Sequence, residues 1–180
     1  MHACAHHDIS RRGFASLALA GAGSLLLPDF AFAAPTDALS IMCIDHRFVT
    51  RTIGFFNRPP QAGAERYDLV ALAGASLAGV AEKLEETVPG FWQQVATAAG
   101  LHHIHRVVLL DHMKCGAYEK EFNNGNEMPP AVERAHHRDT WVKVAAEFHK
   151  RRDEGTLPPL RLSFSLMETS GQISEHREYR

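Results

Sequence analysis

Two short apolar segments, Leu39 to Ile44 and His105 to Leu110, each run directly into a polar turn that carries a cysteine. Neither segment has a helical period, and each is short enough for one buried strand. The side chains at or just after their ends can bind a metal, or accept or donate a hydrogen bond: Cys43, Asp45, His46 and Arg47 in the first case, and His112 and Cys115 in the second. Groups at the carboxyl ends of neighbouring parallel strands converge in one crevice, so the two turns meet if these strands are neighbours.

Two more segments are predicted to be strands. Tyr67 to Ala73 is apolar and is closed by Gly74, whereas Leu160 to Met167 alternates large apolar residues with arginine and serine. Such alternation is typical of a strand with one covered face. The second segment is therefore predicted to be half-covered and to lie near a sheet edge.

Helical patterns separate these strands. Apolar residues recur at helical spacing between Pro89 and Gly100, and the stretch from Ala131 to Arg151 follows two prolines, which suit the first turn of a helix. Alternating strands and helices predict an α/β fold with a mostly parallel central sheet and flanking helices. Residues 50–66 show no clear period and are interpreted as an irregular connection with at most one short helix.

The first 33 residues have the features of a bacterial twin-arginine export signal. Arg11 and Arg12 precede an apolar stretch, and the small-x-small pattern from Ala31 to Ala33 offers a site for a signal peptidase. The alternative interpretation is an uncleaved membrane anchor, which is disfavoured because the apolar stretch is too short to cross a membrane. We therefore expect residues 34–180 to form one domain that works in the periplasm.

The charge balance of this domain bears on its partners. The whole chain has 19 Lys and Arg against 21 Asp and Glu, a net charge of −2. Cleavage would remove two basic residues, Arg11 and Arg12, and two acidic ones, Asp8 and Asp29, and would leave that net charge unchanged. Neither a nucleic-acid partner nor, after signal cleavage, a membrane partner is expected from this balance.

Only two cysteines, Cys43 and Cys115, would remain after cleavage. An exported protein can join such a pair as a disulfide. The alternative is a metal site, because His112 lies three positions before Cys115 and two thiolates with one imidazole favour zinc. Asp45 is close enough in sequence to be a fourth ligand or to leave that position to water. The placement of both cysteines at predicted strand ends favours zinc over a disulfide or two unrelated buried thiols.

The paired motifs CIDHR (43–47) and HMKCG (112–116) resemble those of the β-class carbonic anhydrases, C-x-D-x-R and H-x-x-C-G. The likeness extends to DLVALAGAS, GLHHIHRVVLLDHMKCGAY and LSFSLMETSGQI, and so runs from Ser40 to Ile173. It implies a β-carbonic-anhydrase-like fold, a zinc ion held by Cys43, His112 and Cys115, and reversible hydration of carbon dioxide to bicarbonate. It also implies a homodimer or a higher homo-oligomer.

The resemblance assigns roles around the zinc as well. Asp45 accepts a hydrogen bond from the reacting water, or itself ligates zinc in an inactive state, and Arg47 orients this carboxylate. Gly116 begins a predicted helix, and its backbone N–H favours negative charge in the crevice beside the zinc. His46 stands where the family usually has serine, and it is interpreted either as a proton shuttle or as a solvated loop residue.

A departure from the family pattern leaves other functions open. Leu72 replaces a charged residue, which predicts a more apolar pocket. Such a pocket suits the hydrolysis of carbon disulfide or carbonyl sulfide, which some members of this fold perform. A site closed permanently by Asp45 would instead make the domain a non-catalytic periplasmic zinc-binding module.

Five other histidines are interpreted as ordinary surface residues, because neutral surface histidines are common. His102, His103 and His105 lie at the opposite end of the third predicted strand, and His136 and His137 lie on a polar helix face. None of these five is expected to bind a metal.

Overall fold

The computed structural model describes residues 36–58 and 66–180. The predicted export signal, residues 1–33, lies outside the described residues, as do residues 59–65 of the predicted irregular connection. Within the two described ranges, no helix combines the length and the apolar character needed to cross a membrane.

The described residues form a five-stranded sheet whose order is β2-β1-β3-β4-β5. The first four strands are parallel, and β5 pairs with β4 in the antiparallel direction. Their bounds are Ala38–Met42 for β1, Tyr67–Ala71 for β2, Arg106–His112 for β3, Arg161–Met167 for β4 and Ile173–Tyr179 for β5. The prediction of an α/β fold with a mostly parallel central sheet is confirmed.

Strands β1 and β3 are neighbours, as the site hypothesis requires. Met42 pairs with Leu110 across the ladder, so Cys43 comes off β1 beside the last residues of β3. The two polar turns therefore leave the sheet at the same edge. This register brings the two sequence motifs together although the paired residues Met42 and Leu110 are 68 positions apart in the chain.

Four α-helices and one short 3-10 helix connect the described strands. Their bounds are Val49–Phe56 for α1, Ala75–Gly79 for the 3-10 helix, Thr87–His102 for α2, Gly116–Asn123 for α3 and Pro130–Asp153 for α4. Helix α1 is a short helix of the kind that the prediction for residues 50–66 allowed. Pro89 lies inside the first turn of α2, where its missing N–H leaves no hydrogen bond unmade.

Both faces of the sheet are covered, which explains the continuous apolar run in β3. Val107 and Leu109 point into one core cluster, which packs under α2 and α4. Val108 and Leu110 point into another, which packs under α1. A strand buried on both faces has no polar side to show, and therefore lacks the alternation of a surface strand.

The prediction that β4 is half-covered was wrong. Its polar residues Ser163 and Ser165 are 2% and 0% exposed, and the Ser165 hydroxyl pairs with His176 Nδ1 at 2.9 Å. Strand β5 supplies that histidine and takes the edge position, so β4 lies near the sheet edge as predicted but is covered on both faces. Small hydroxyl side chains can be buried when they find a hydrogen-bond partner, so alternation alone does not establish exposure.

Phe91 on α2 offers a test of the packing. Its ring is 0% exposed and makes edge contacts with the rings of Trp92 and Phe148. We expect Phe91→Ala to lower the free energy of unfolding by about 3–5 kcal/mol, because it removes buried apolar area and leaves a cavity. Urea titration followed by circular dichroism measures this. Leu101→Ala on the same helix, at a side chain 60% exposed, is the control; equal midpoints for the two variants would contradict this packing.

Candidate metal centre

Three potential metal ligands converge where the two motifs meet. One ligand atom each from Cys43, His112 and Cys115 lies within 4.8 Å of the other two. All three residues are buried, and both cysteines are free thiols rather than a disulfide. The cluster that the sequence predicted is therefore present in the structure.

The imidazole of His112 is oriented as a metal ligand. Its Nδ1 lies 3.0 Å from the carbonyl oxygen of Met113, which fixes the proton on Nδ1 and leaves a lone pair on Nε2. That Nε2 atom is buried and makes no hydrogen bond with any described residue. The ring also stacks on Phe48, with centroids 4.0 Å apart and planes 19° apart. A buried nitrogen without a partner is costly, and a bound cation would satisfy it.

The two sulfur atoms differ in their proton affinity. Contact with the Cys115 thiol and, to a smaller extent, with the imidazole of His112 outweighs the effect of burial and lowers the pKa of Cys43 to about 4. Contact with Cys43, together with burial, raises the pKa of Cys115 well above its usual range. Cys43 is thus a thiolate at neutral pH, which is the form that binds metals.

A backbone turn after β2 donates a hydrogen bond to the first of these sulfurs. The N–H of Gly74 lies 3.4 Å from Cys43 Sγ. Gly74 has a φ of +79°, and a Cβ at this position would approach the Cβ atoms of Leu77 and Ala117 to 3.0 and 3.1 Å. Only glycine fits this left-handed and crowded position, so the donor depends on it.

Asp45 and Arg47 form a two-pronged ion pair at the open side of the cluster. Arg47 Nε donates to both carboxylate oxygens at 3.0 and 3.1 Å, and its Nη2 donates to the backbone carbonyl of Lys114 at 2.9 Å. These hydrogen bonds from Arg47 lower the pKa of Asp45 to about 2. Asp45 Oδ2 lies 3.8 Å from His112 Nε2. The carboxylate is therefore ionised at neutral pH and lies beside the free imidazole nitrogen.

His46 and Gly116 border the same region. The side chain of His46 is 95% exposed, and its Nδ1 lies 3.9 Å from Asp45 Oδ1. Gly116 begins α3. Both residues line a cavity of about 500 Å³ that is open to solvent, together with Cys43, Ile44, Asp45, Arg47, Ala73, Leu84, Cys115, Ala117 and Lys120.

The apolar part of that cavity has a different origin from the one predicted. Leu72 packs against the main core instead of lining the cavity, so its replacement of a charged residue does not shape the wall. The apolar wall is formed by Ile44, Ala73 and Leu84. Ile44 is 61% exposed at the mouth.

The donor set fits a zinc ion. Two sulfurs and one imidazole nitrogen are ligands that zinc prefers in a tetrahedral arrangement, and three protein ligands leave one position for water or for Asp45. Calcium and magnesium prefer oxygen ligands instead.

A larger groove, of about 1060 Å³, lies between α1 and the last two strands. Its lining includes Ser165, His176, Arg51 and Gln172. We place the candidate centre in the smaller cavity, because the ligating atoms found among the described residues converge there.

The prediction that His137 is a surface residue was wrong. This side chain is 0% exposed and lies between two buried carboxylates, with Nδ1 3.4 Å from Asp111 and Nε2 3.9 Å from Glu133. Helix α4 carries this histidine and also buries the polar residues Glu133 and Thr140. Sequence reasoning also missed Phe48 and Gly74; only the glycine had a local signal, as the end of a predicted strand.

Comparison with known proteins identifies relatives of this chain. No family model matches the sequence. The uncharacterized protein RC0076 of Rickettsia conorii is 30% identical over 140 residues, which cover 76% of this chain and 70% of that protein. The chain belongs to the RC0076 family. An uncharacterized protein of Rickettsia bellii is 37% identical over 83 residues, and this match covers 46% of the chain and about half, 49%, of the length of that relative.

This chain can also be compared with solved structures. A tetrameric β-carbonic anhydrase from Sordaria macrospora aligns with a TM-score of 0.49 and 15% identity, over 93% of this chain and 96% of that one. A carbon disulfide hydrolase aligns with a TM-score of 0.42 and 12% identity, over 94% and 90%.

Proposed function

We propose that this protein is a zinc enzyme that reversibly hydrates carbon dioxide to bicarbonate. The observation that carries the proposal is the convergence of Cys43, His112 and Cys115 beside an ionised Asp45 held by Arg47. The motif pair C-x-D-x-R and H-x-x-C-G, which resembles that of β-class carbonic anhydrases, supports the same assignment. A zinc ion bound there supplies Lewis acidity, which makes water nucleophilic near neutral pH.

In this proposal Asp45 orients the reacting water. Its carboxylate accepts a hydrogen bond from that water and so points a lone pair toward the substrate carbon. Arg47 holds the carboxylate in place from one side, and because Arg47 also binds the carbonyl of Lys114, it ties the two motif turns together. The alternative role of Asp45, as a zinc ligand, requires that its carboxylate leave Arg47.

The cavity wall suits a small nonpolar substrate. Ile44, Ala73 and Leu84 offer no hydrogen bonds to carbon dioxide, whereas Arg47 and the N-terminus of α3 at Gly116 favour the anionic product. With an apolar wall on one side and these groups on the other, the substrate carbon lies beside Asp45, and the negative charge that develops on its oxygens lies near Arg47.

Zinc analysis combined with stopped-flow hydration tests the proposal. We expect one zinc per chain and a hydration rate that dipicolinate treatment abolishes and added zinc restores. A fully zinc-loaded protein that is inactive between pH 7 and pH 9 would reject the hydratase activity while leaving the metal site intact.

The apolar wall also favours a second candidate function, the hydrolysis of carbon disulfide or carbonyl sulfide. The same residues would hold the ion and orient the water, and the product would include hydrogen sulfide. Release of sulfide from carbon disulfide without measurable hydration of carbon dioxide would select this function. A zinc-loaded protein inactive on all three substrates would select the non-catalytic zinc-binding module.

We also propose that the mature domain, residues 34–180, works in the periplasm as a homodimer or a higher homo-oligomer. The resemblance of the two motifs to those of β-class carbonic anhydrases supports the homo-oligomer, and Arg11 and Arg12 ahead of an apolar stretch support export to the periplasm. Light scattering on the purified domain and fractionation of cells that express the full chain test the two parts separately.

His46 is proposed to carry protons between the site and buffer. Its ring is fully accessible beside Asp45, and imidazole is the side chain that exchanges protons near neutral pH. We expect His46→Ala to slow turnover at least roughly tenfold in weak buffer, with rescue by added imidazole. His105→Ala, exposed at the opposite end of β3, is the control. Unchanged turnover of the His46 variant in weak buffer would leave the residue as a solvated loop histidine.

A further inference from the structure

We propose that Glu133, His137 and Asp111 form a buried positioning network that holds both cysteine ligands of the metal centre in place. The inference rests on the proposed zinc site and assigns a function to three charged groups that the mechanism above does not use. None of them contacts the cavity. They lie beneath it, where α4 packs against the turns that carry the ligands.

Glu133 contacts the second cysteine turn directly. It lies in the first turn of α4 and is 2% exposed, and its Oε1 accepts the backbone N–H of Cys115 at 2.9 Å. Lys114, which precedes Cys115, has a φ of +57°, a conformation that non-glycine residues rarely adopt. A strained turn keeps its geometry only when its surroundings hold it, and the Glu133 carboxylate is one such contact.

Asp111 reaches the first cysteine through the turn after β2. It is 2% exposed, and it accepts the backbone N–H of Ser76 at 3.0 Å and the indole N–H of Trp141 at 2.6 Å. Ser76 follows Gly74 by two residues, and the N–H of Gly74 donates to Cys43 Sγ. Anchoring of Ser76 by Asp111 thus fixes the turn that presents this donor.

His137 connects the two carboxylates. Its ring lies between Asp111 and Glu133 and packs on Tyr118, with centroids 3.8 Å apart. Burial alone would lower the pKa of His137, but the two carboxylates outweigh it and raise the pKa. A cation between two buried anions offsets part of their desolvation cost.

A simple core salt bridge would not need to reach the ligand loops. Here Glu133 accepts the backbone N–H of Cys115, and Asp111 anchors the turn that donates a hydrogen bond to Cys43 Sγ. Side chains that orient metal ligands in this way affect metal affinity by roughly 10- to 100-fold when they are removed.

Zinc release from the full chain tests the proposal, measured as transfer to a chromogenic chelator. Glu121 provides the matched control. It is also a buried carboxylate, 7% exposed, and it accepts backbone N–H groups of Glu82 and Lys83 at 2.7 and 2.9 Å, which belong to no ligand turn. Alanine and glutamine variants are made at both positions, and unfolding midpoints are recorded for all four.

We expect Glu133→Ala to release zinc roughly 10- to 100-fold faster than wild type and to shift the sulfur-to-metal charge-transfer band of the cobalt-substituted protein. Glu133→Gln keeps an acceptor oxygen for Cys115 and should release zinc at an intermediate rate. Both Glu121 variants should release zinc as wild type does, even where they unfold at lower denaturant. These relative release rates distinguish an effect on ligand positioning from an effect on the stability of the fold.

Equal release rates for the Glu133 and Glu121 variants, with an unshifted cobalt band, would overturn the network while leaving the zinc site and the proposed function intact. If Glu133→Ala does not fold, the comparison of the two glutamine variants decides in the same way. A wild-type chain that binds neither zinc nor cobalt would overturn the proposed function, and the positioning network with it.

Discussion

Cys115→Ser removes stable zinc binding: we expect zinc content to fall from one ion per chain to less than about one tenth of that. A serine hydroxyl is a poor zinc ligand, because it stays protonated at neutral pH, whereas a zinc-bound thiol is deprotonated. The substitution also leaves Cys43 with a single imidazole as its partner in the cluster. Two ligands do not hold the ion against a chelator.

Plasma emission spectrometry on the purified full chain measures this effect. Cys4→Ser is the matched control, since it removes a thiol outside the motif and should leave zinc content unchanged. Full zinc retention in Cys115→Ser, or a loss of equal size in both variants, would show that the ion is bound elsewhere.

Asp45→Asn should reduce turnover by roughly 10²- to 10⁴-fold while zinc content stays at one per chain. The amide cannot accept two hydrogen bonds from Arg47 and also one from water, because one of its ends is a donor. The three ligands remain in place, since Asp45 is not among the residues whose atoms converge in the cluster. The loss therefore falls on catalysis and not on metal binding.

Glu127→Gln is the control for this substitution. Glu127 is an exposed carboxylate 2.8 Å from Lys114 Nζ, beside the same turn, and its loss should leave turnover within a factor of two of wild type. Wild-type turnover in Asp45→Asn would remove this residue from the mechanism. Loss of zinc from Asp45→Asn would make the carboxylate a resident ligand, as in the non-catalytic module.

Much of the fold could be predicted from local pattern. The strands β1 and β3 were predicted from short apolar runs, because burial on both faces favours apolar residues at most of their central positions. Strand β5 was not, since Ile173–Tyr179 is rich in charged residues and gains its strand conformation from pairing with β4. An edge strand needs no apolar signature of its own.

The ligand cluster was predictable for a related reason. Its members occupy the ends of two strands, and parallel strands bring their ends to one edge, so Cys43, His112 and Cys115 meet on the condition, met in the structure, that β1 and β3 are neighbours. The groups that support the cluster were not predictable. Glu133 and His137 lie on α4, and only the packing of that helix against the motif turns determines which of its polar residues point inward.

X-ray absorption at the zinc edge on the purified protein tests the central claim most directly. The account predicts a four-coordinate ion with two sulfur neighbours at about 2.3 Å and two nitrogen or oxygen neighbours at about 2.0–2.1 Å. One of the lighter neighbours should show the imidazole scattering expected for His112. A zinc edge with no sulfur neighbours, or a protein whose two cysteines are joined as a disulfide and which binds no zinc, would contradict it.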